Sequence, residues 1–145
     1  MTPKKHAAAS SKSPRAAELS GPVHQVDLRD EVQELRRDTN YRRVGRNSKT
    51  LVKHEDFRAV LTVLRKGARL EEHRAAGRLS IQVLSGGLSI QLPEGVRTLM
   101  AGQWLALDRC LVHDVAASRD SAFLLTLSWP SEDNVQTCRA HQGGR

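Results

Sequence analysis

The stretch from residue 67 to residue 92 constrains the fold more than any other. Two short apolar runs, Leu79–Ser85 and Leu88–Leu92, flank the pair Gly86-Gly87. Paired glycines supply the positive φ that a primed turn needs, so the spacing predicts a tight β-hairpin. In Leu88-Ser89-Ile90-Gln91-Leu92 apolar and polar residues alternate strictly, the mark of a strand with one buried face. Gly67 turns the chain into this stretch, and His73 stands ahead of its first run.

The pattern continues on both sides. Thr50–Lys53 reads as a short strand. Phe57–Leu64 reads as a long one, apolar on both faces, as a strand inside a sandwich or barrel should be. Val96–Met100, Gln103–Leu107, Leu111–Ala117 and Ala122–Trp129 follow, with Pro93-Glu94-Gly95 and Ala101-Gly102 among the turns, and Pro130 ends the last. Eight or nine short strands at even spacing, with no alternation of helix and strand after residue 49, predict an all-β sandwich or barrel. One helix is expected ahead of it, over residues 26–38. Leu28, Val32 and Leu35 recur there at helical spacing, Asp27 can cap, and Arg36 and Arg37 lie at the end that favours positive charge. Its narrow stripe predicts packing against the domain or a partner subunit. Residues 39–49 read as a polar, basic connecting loop. The expected division is a disordered tail over 1–25, helix and linker over 26–46, a barrel over 47–130 and a flexible tail over 131–145.

The 145 residues suit one domain with tails. A net charge of +7, from 23 basic and 16 acidic residues, is spread thinly and serves solubility. One Tyr, two Trp and two Phe give few platforms for stacking bases, and no second helix completes a helix-turn-helix, so nucleic acid is not the expected partner. Trp104 and Trp129 read as core. Cys110 and Cys138 have neither a disulfide framework's pattern nor zinc-site spacing and read as free thiols, which predicts a cytoplasmic protein. With no run of 18 apolar residues and no apolar segment after Lys4-Lys5, neither a membrane span nor a secretory signal is expected.

These residues resemble the cupin superfamily over about residues 50–129. Its first motif runs Gly, five residues, His, one residue, His, three or four residues, Glu, six residues, Gly. Gly67, His73 and Gly86 match it; the second His position holds Ala75, and the Glu position falls near Leu79 or Ser80. In the second motif Gly102 and His113 match, while the Pro, Gly and Asn positions hold Asp108, Cys110 and Ala117. Ser80–Gly86 and Asp120–Thr126 look like small single-domain cupins. The resemblance implies a double-stranded β-helix, a jelly-roll barrel, with a degenerate metal motif, and it implies a homodimer.

In a strand, residues two apart project to one side, so a His-x-His pair aims two imidazoles at one metal. A carboxylate and a distant His complete an N/O site suited to iron, manganese, nickel or zinc. Only His73 and His113 survive here, and Glu71, two residues before His73, is the candidate to complete a two-His-one-carboxylate set. Without a metal, His73 and His113 would line the barrel mouth as polar ligand contacts, with Gln82 as a further candidate. The expected function is a small-molecule-binding or sensor-like barrel without robust catalysis. The alternatives are a divalent-metal-dependent enzyme of dioxygenase or isomerase type, and a structural homodimer.

Overall fold

The structure is a computed structural model and describes residues 19–73 and 76–129, the side chains of Glu72 and His73 excepted. The expected tails therefore lie outside the described residues, apart from 19–25. Helix α1 spans Leu28–Arg37. It starts where the sequence signals it: the Asp27 carboxylate accepts from the N–H groups of Arg29 and Asp30, at 2.9 and 3.2 Å. Asp30 and Glu31 occupy its first turn and Arg36 and Arg37 its last, each complementing the helix dipole.

Residues 39–49 are not the expected loop. Thr39–Val44 form a second helix, α2, capped by Asp38, whose side chain accepts from Asn40 N–H at 2.7 Å. Gly45, at φ 79°, ends it. The segment has too few apolar residues to show a period, with Tyr41 its one buried side chain, which is why only its caps announce it. The strands begin immediately after, at Arg46.

Nine strands follow: β1 Arg46–Lys53, β2 Phe57–Leu64, β3 Arg69–His73, β4 Arg78–Ser85, β5 Gly87–Leu92, β6 Gly95–Met100, β7 Trp104–Leu107, β8 His113–Ala117 and β9 Ser121–Ser128. They make two antiparallel sheets, β1-β2-β9-β4-β7 and β3-β8-β5-β6. The predicted all-β barrel is what forms. The predicted hairpin at Gly86-Gly87 does not. β4 pairs with β7 and β9, and β5 with β6 and β8, so the two runs lie in different sheets. Gly86 is the corner where the chain crosses over. Its φ is 82°, and a Cβ there would stand 2.3 Å from the Asp120 carbonyl oxygen and 2.5 Å from Ser121 Oγ. Both facts demand glycine. The buried Ser121 hydroxyl ties the corner together, accepting from Gly87 N–H at 3.0 Å.

Between the sheets lies one aliphatic core around Phe123, with Leu64, Ile81, Val83, Leu88, Ile90 and Val115 each at most 2 % exposed. Burying each such side chain stabilises by about 1.5–3 kcal/mol. A second cluster lies on the outer face of the first sheet. There Val32, Leu35 and Tyr41 pack on Leu61, Val63 and Ala122. This accounts for the two-sided apolar pattern of β2: Leu64 faces the barrel core, Leu61 and Val63 face the helices. The helix thus packs against its own domain. Trp104, expected in the core, is 63 % exposed on the outer face of edge strand β7. Among the described residues no helix is long and apolar enough to cross a membrane.

Candidate functional site

His113 begins β8 and shares a face with Val115 and Ala117, both in the barrel core; it is 2 % exposed. Its Nδ1 lies 2.9 Å from the carbonyl oxygen of Leu111. A carbonyl only accepts, so Nδ1 carries the proton it donates to Leu111. The Leu111 backbone therefore sets both the tautomer and the orientation of the ring. The next residue, Asp114, alternates to the other face and pairs with Arg69 at 2.5 Å.

The two predicted histidines come together at the backbone: His73 pairs in register with His113 across β3 and β8. The His73 side chain lies outside the described residues. Strand alternation alone does not join Glu71 to them. The register slips by one residue between Leu70 and His73, a β-bulge that breaks the two-residue alternation, and Glu71 is exposed. Gln82 does not join them either. Leu79, Ile81 and Val83 fill the inward face of β4, so Gln82 points outward, opposite Trp104 on β7.

The sequence pointed to a ligand site at the barrel mouth beside His113, but not to the residues of the cleft that opens there. β6 and β7 are the outer edges of the two sheets. They meet at the turn near Gly102 and part toward Gly95 and Leu107, leaving the barrel unsealed along that seam. A cleft of about 520 Å³ opens there, its apolar wall made by Leu92, Pro93, Leu105, Leu107 and Leu111. A smaller hollow of about 140 Å³ lined by His113 shares Leu92 and Pro93 with it. The charged groups on the rim are paired with one another. Arg97 donates to Glu94 at 2.9 Å and Arg78 to Asp108 at 3.0 Å. The Arg109 backbone N–H, 2.8 Å from the Asp108 carboxylate, holds that carboxyl below its ordinary range, and the Arg78 charge adds to the effect. A cleft with an apolar wall and self-neutralised rim suits an uncharged, largely apolar molecule.

Sequence comparison gives no match to a protein-family model or to a curated protein. Structural comparison does. A cupin superfamily protein from Desulfitobacterium hafniense matches at 16 % identity over 59 % of this chain and 78 % of its own, with a TM-score of 0.57. The Cupin_2 domain of an XRE family transcriptional regulator from Enterobacter cloacae matches at 23 % identity over 60 % of this chain and 99 % of its own, with a TM-score of 0.54. The chain has the cupin fold. A variant of salicylate 1,2-dioxygenase from Pseudoaminobacter salicylatoxidans, which shares that fold at 11 % identity, covers 84 % of this chain and 38 % of its own, with a TM-score of 0.67.

The cupin frame shows which motif positions survive as geometry and which as chemistry. Cys110 stands at the motif's glycine position and retains a left-handed backbone, φ 63°. Its reading as a free thiol is overturned: Cys110 is disulfide-bonded. The chain's other cysteine, Cys138, lies outside the described residues. Disulfides persist in oxidising compartments, so the thiol argument for a cytoplasmic location falls away. Two of the four metal-ligand positions have lost their chemistry. Ala75 and Leu79 offer no donor, and among the described residues no three His, Cys, Asp or Glu side chains gather where an ion could sit. His113 is oriented as a ligand would be, with Nδ1 fixed by a carbonyl, but the donors described around it do not make up a metal site.

Proposed function

We propose that this cupin barrel is a small-molecule-binding module, taking an uncharged, mostly apolar organic ligand at its mouth, with His113 as the polar side chain nearest its inner end. The observation that carries the reading is the cleft of about 520 Å³, which shares Leu92 and Pro93 with the hollow that His113 lines. Its volume falls in the range of about 300–1,000 Å³ typical of small-molecule sites. Leu92 and Leu107 would contact the ligand body. The regulator domain from Enterobacter cloacae is a precedent for a cupin attached to regulation, in keeping with a sensor role.

A titration with benzyl alcohol followed by amide NMR tests this. Saturable shifts should cluster at Leu92, Leu107, Leu111 and His113, and Leu111→Arg should abolish them. Shifts that grow without saturating, or that survive Leu111→Arg, would sink the reading. The dioxygenase likeness and the oriented His113 favour a second reading, a metal-dependent enzyme. Metal analysis separates the two. Near-stoichiometric iron, manganese, nickel or zinc that vanishes in a His73→Ala, His113→Ala double variant would move the assignment to the enzyme. The proposal also includes a homodimer, supported by the exposed Trp104 on edge strand β7. Sedimentation of the full chain should then show a dimer that Trp104→Arg weakens.

A further inference from the structure

A second cleft lies on the other side of the first sheet. Helix α1 is anchored through Val32 and Leu35, and along one flank it stands off the β4–β5 corner. The space between is about 500 Å³, with Leu28, Val32 and Leu84 as its apolar wall. Arg29, Gln33 and Arg36 recur at i, i+4 and i+7 and form one stripe of α1 along it. Ser85 faces them from the strand.

The charge here is not answered. Arg36 lies in none of the ion pairs found among the described residues. Its Nη2 reaches Ser85 Oγ at 3.4 Å, a long contact, and its Nε is buried without a hydrogen-bond partner. Arg29 likewise has no carboxylate partner among these residues, and no described acidic side chain lines the cleft. A part-buried guanidinium whose one acceptor is a distant hydroxyl is an unfavourable arrangement that an arriving anion relieves. The planar guanidinium suits the two oxygens of a carboxylate. The wall opposite suits hydrocarbon.

We propose that the cleft between α1 and the β4–β5 corner is a binding site for a small amphipathic carboxylate, its head on Arg36 and its chain against Leu28, Val32 and Leu84. Arg29, at the exposed edge, adds long-range attraction. A carboxylate is favoured over an inorganic anion because only part of the site is polar. It is favoured over a dianion because one guanidinium supplies one bidentate contact. The site is separate from the barrel mouth and does not rest on the reading given for it.

The test uses the full chain and octanoate, with octanol and inorganic phosphate as controls, followed by calorimetry and amide NMR. Octanoate should bind saturably, with shifts at Leu28, Arg36 and Leu84. Arg36→Gln should weaken it roughly tenfold, the usual scale for losing one bidentate charge-assisted contact. Arg36→Lys, which keeps the charge, should lose less, and octanol should bind no better than octanoate does to Arg36→Gln. His113→Ala should leave octanoate binding unchanged, which separates this site from the barrel mouth. The proposal is overturned if Arg36→Gln binds octanoate as the parent does, if phosphate competes equally well, if the shifts map to Leu92 and Leu111, or if no saturation is reached at millimolar concentrations.

Discussion

The two clefts have nearly the same volume, about 520 and 500 Å³, and opposite chemistry. At the barrel mouth each rim charge has a partner, Glu94 with Arg97 and Asp108 with Arg78. Under α1 the guanidinium of Arg36 has a serine hydroxyl at 3.4 Å and, among the described residues, no carboxylate. Volume alone therefore says little about what a cleft takes; whether its charges are already satisfied says more. The clefts also differ in how they are held open. The mouth is framed by strands bonded into two sheets. The helix cleft exists because Val32 and Leu35, with the Lys49–Glu31 pair and the Asn47 bond to the Leu35 carbonyl, dock a helix on a sheet.

The largest expected effect strikes both clefts at once. Phe123 is 1 % exposed at the centre of the barrel core. Phe123→Ala should destabilise by about 3–5 kcal/mol, the transfer term plus the cavity left behind. Urea unfolding checks it, and probe binding at both clefts should fall together with the folded fraction. A loss under about 1 kcal/mol would break the idea that one core supports both sites. Leu35→Ala should separate them. Leu35 is 7 % exposed beneath α1, in a layer free to collapse, so the loss should sit near the lower end of the Leu→Ala range, about 2 kcal/mol. Octanoate binding should fall with the helix loosened, while benzyl alcohol at the barrel mouth binds as before. Equal loss at both would show that the helix is part of the barrel's own support.

The same contrast explains what could be read from the sequence. Alternation announced the strands, because a strand with one face buried leaves a period of two, and Asp27 with the Leu28–Leu35 stripe announced α1. β3, α2 and the role of Gly86 were not legible. β3 is Arg-Leu-Glu-Glu-His and has no apolar pattern; α2 is too short to have one. A glycine pair reads the same whether it reverses a strand or carries it to a second sheet, since which strands pair is decided by contacts distant in sequence. His113 was legible because a motif marks it. The residues of the barrel-mouth cleft were not, since the cleft arises where two sheet edges fail to meet. Nor was Arg36, whose place at a helix end gave it a sufficient local explanation in the dipole. Gln82 failed as a candidate because strict alternation put it outside, while the bulge before His73 broke the alternation on which the choice of Glu71 rested.

Two smaller effects sharpen the contrast in charge. Lys49 on β1 pairs with Glu31 on α1 at 2.5 Å, and the Glu31 side chain is 16 % exposed. Glu31→Gln should cost about 0.5–1 kcal/mol, the scale of a well-placed but solvated pair. A double-mutant cycle with Lys49→Met, at low and high salt, checks it. Coupling that vanishes in salt would leave Val32, Leu35 and the Asn47 bond as the anchor of the helix cleft.

The smallest effect belongs to Asp108 at the barrel mouth. Its carboxyl lies below its ordinary value of 3.8, first because the Arg109 N–H bonds the carboxylate and then because of Arg78. A group whose pKa is depressed by folding stabilises the folded state above its unfolded pKa. That contribution is lost as pH falls from about 3.8 through the folded value. Asp108→Asn should therefore melt less steeply with acid than the parent below this pH and differ least from it at the acid end. The carboxylate is exposed, so the difference should be small. Added salt should weaken the Arg78 part and spare the backbone bond. Thermal midpoints from about pH 5 to pH 2, with and without salt, measure it. If the two proteins lose stability in parallel, the Asp108 charge is not held by the fold, and the claim that the barrel mouth has its rim charges already satisfied fails at that residue.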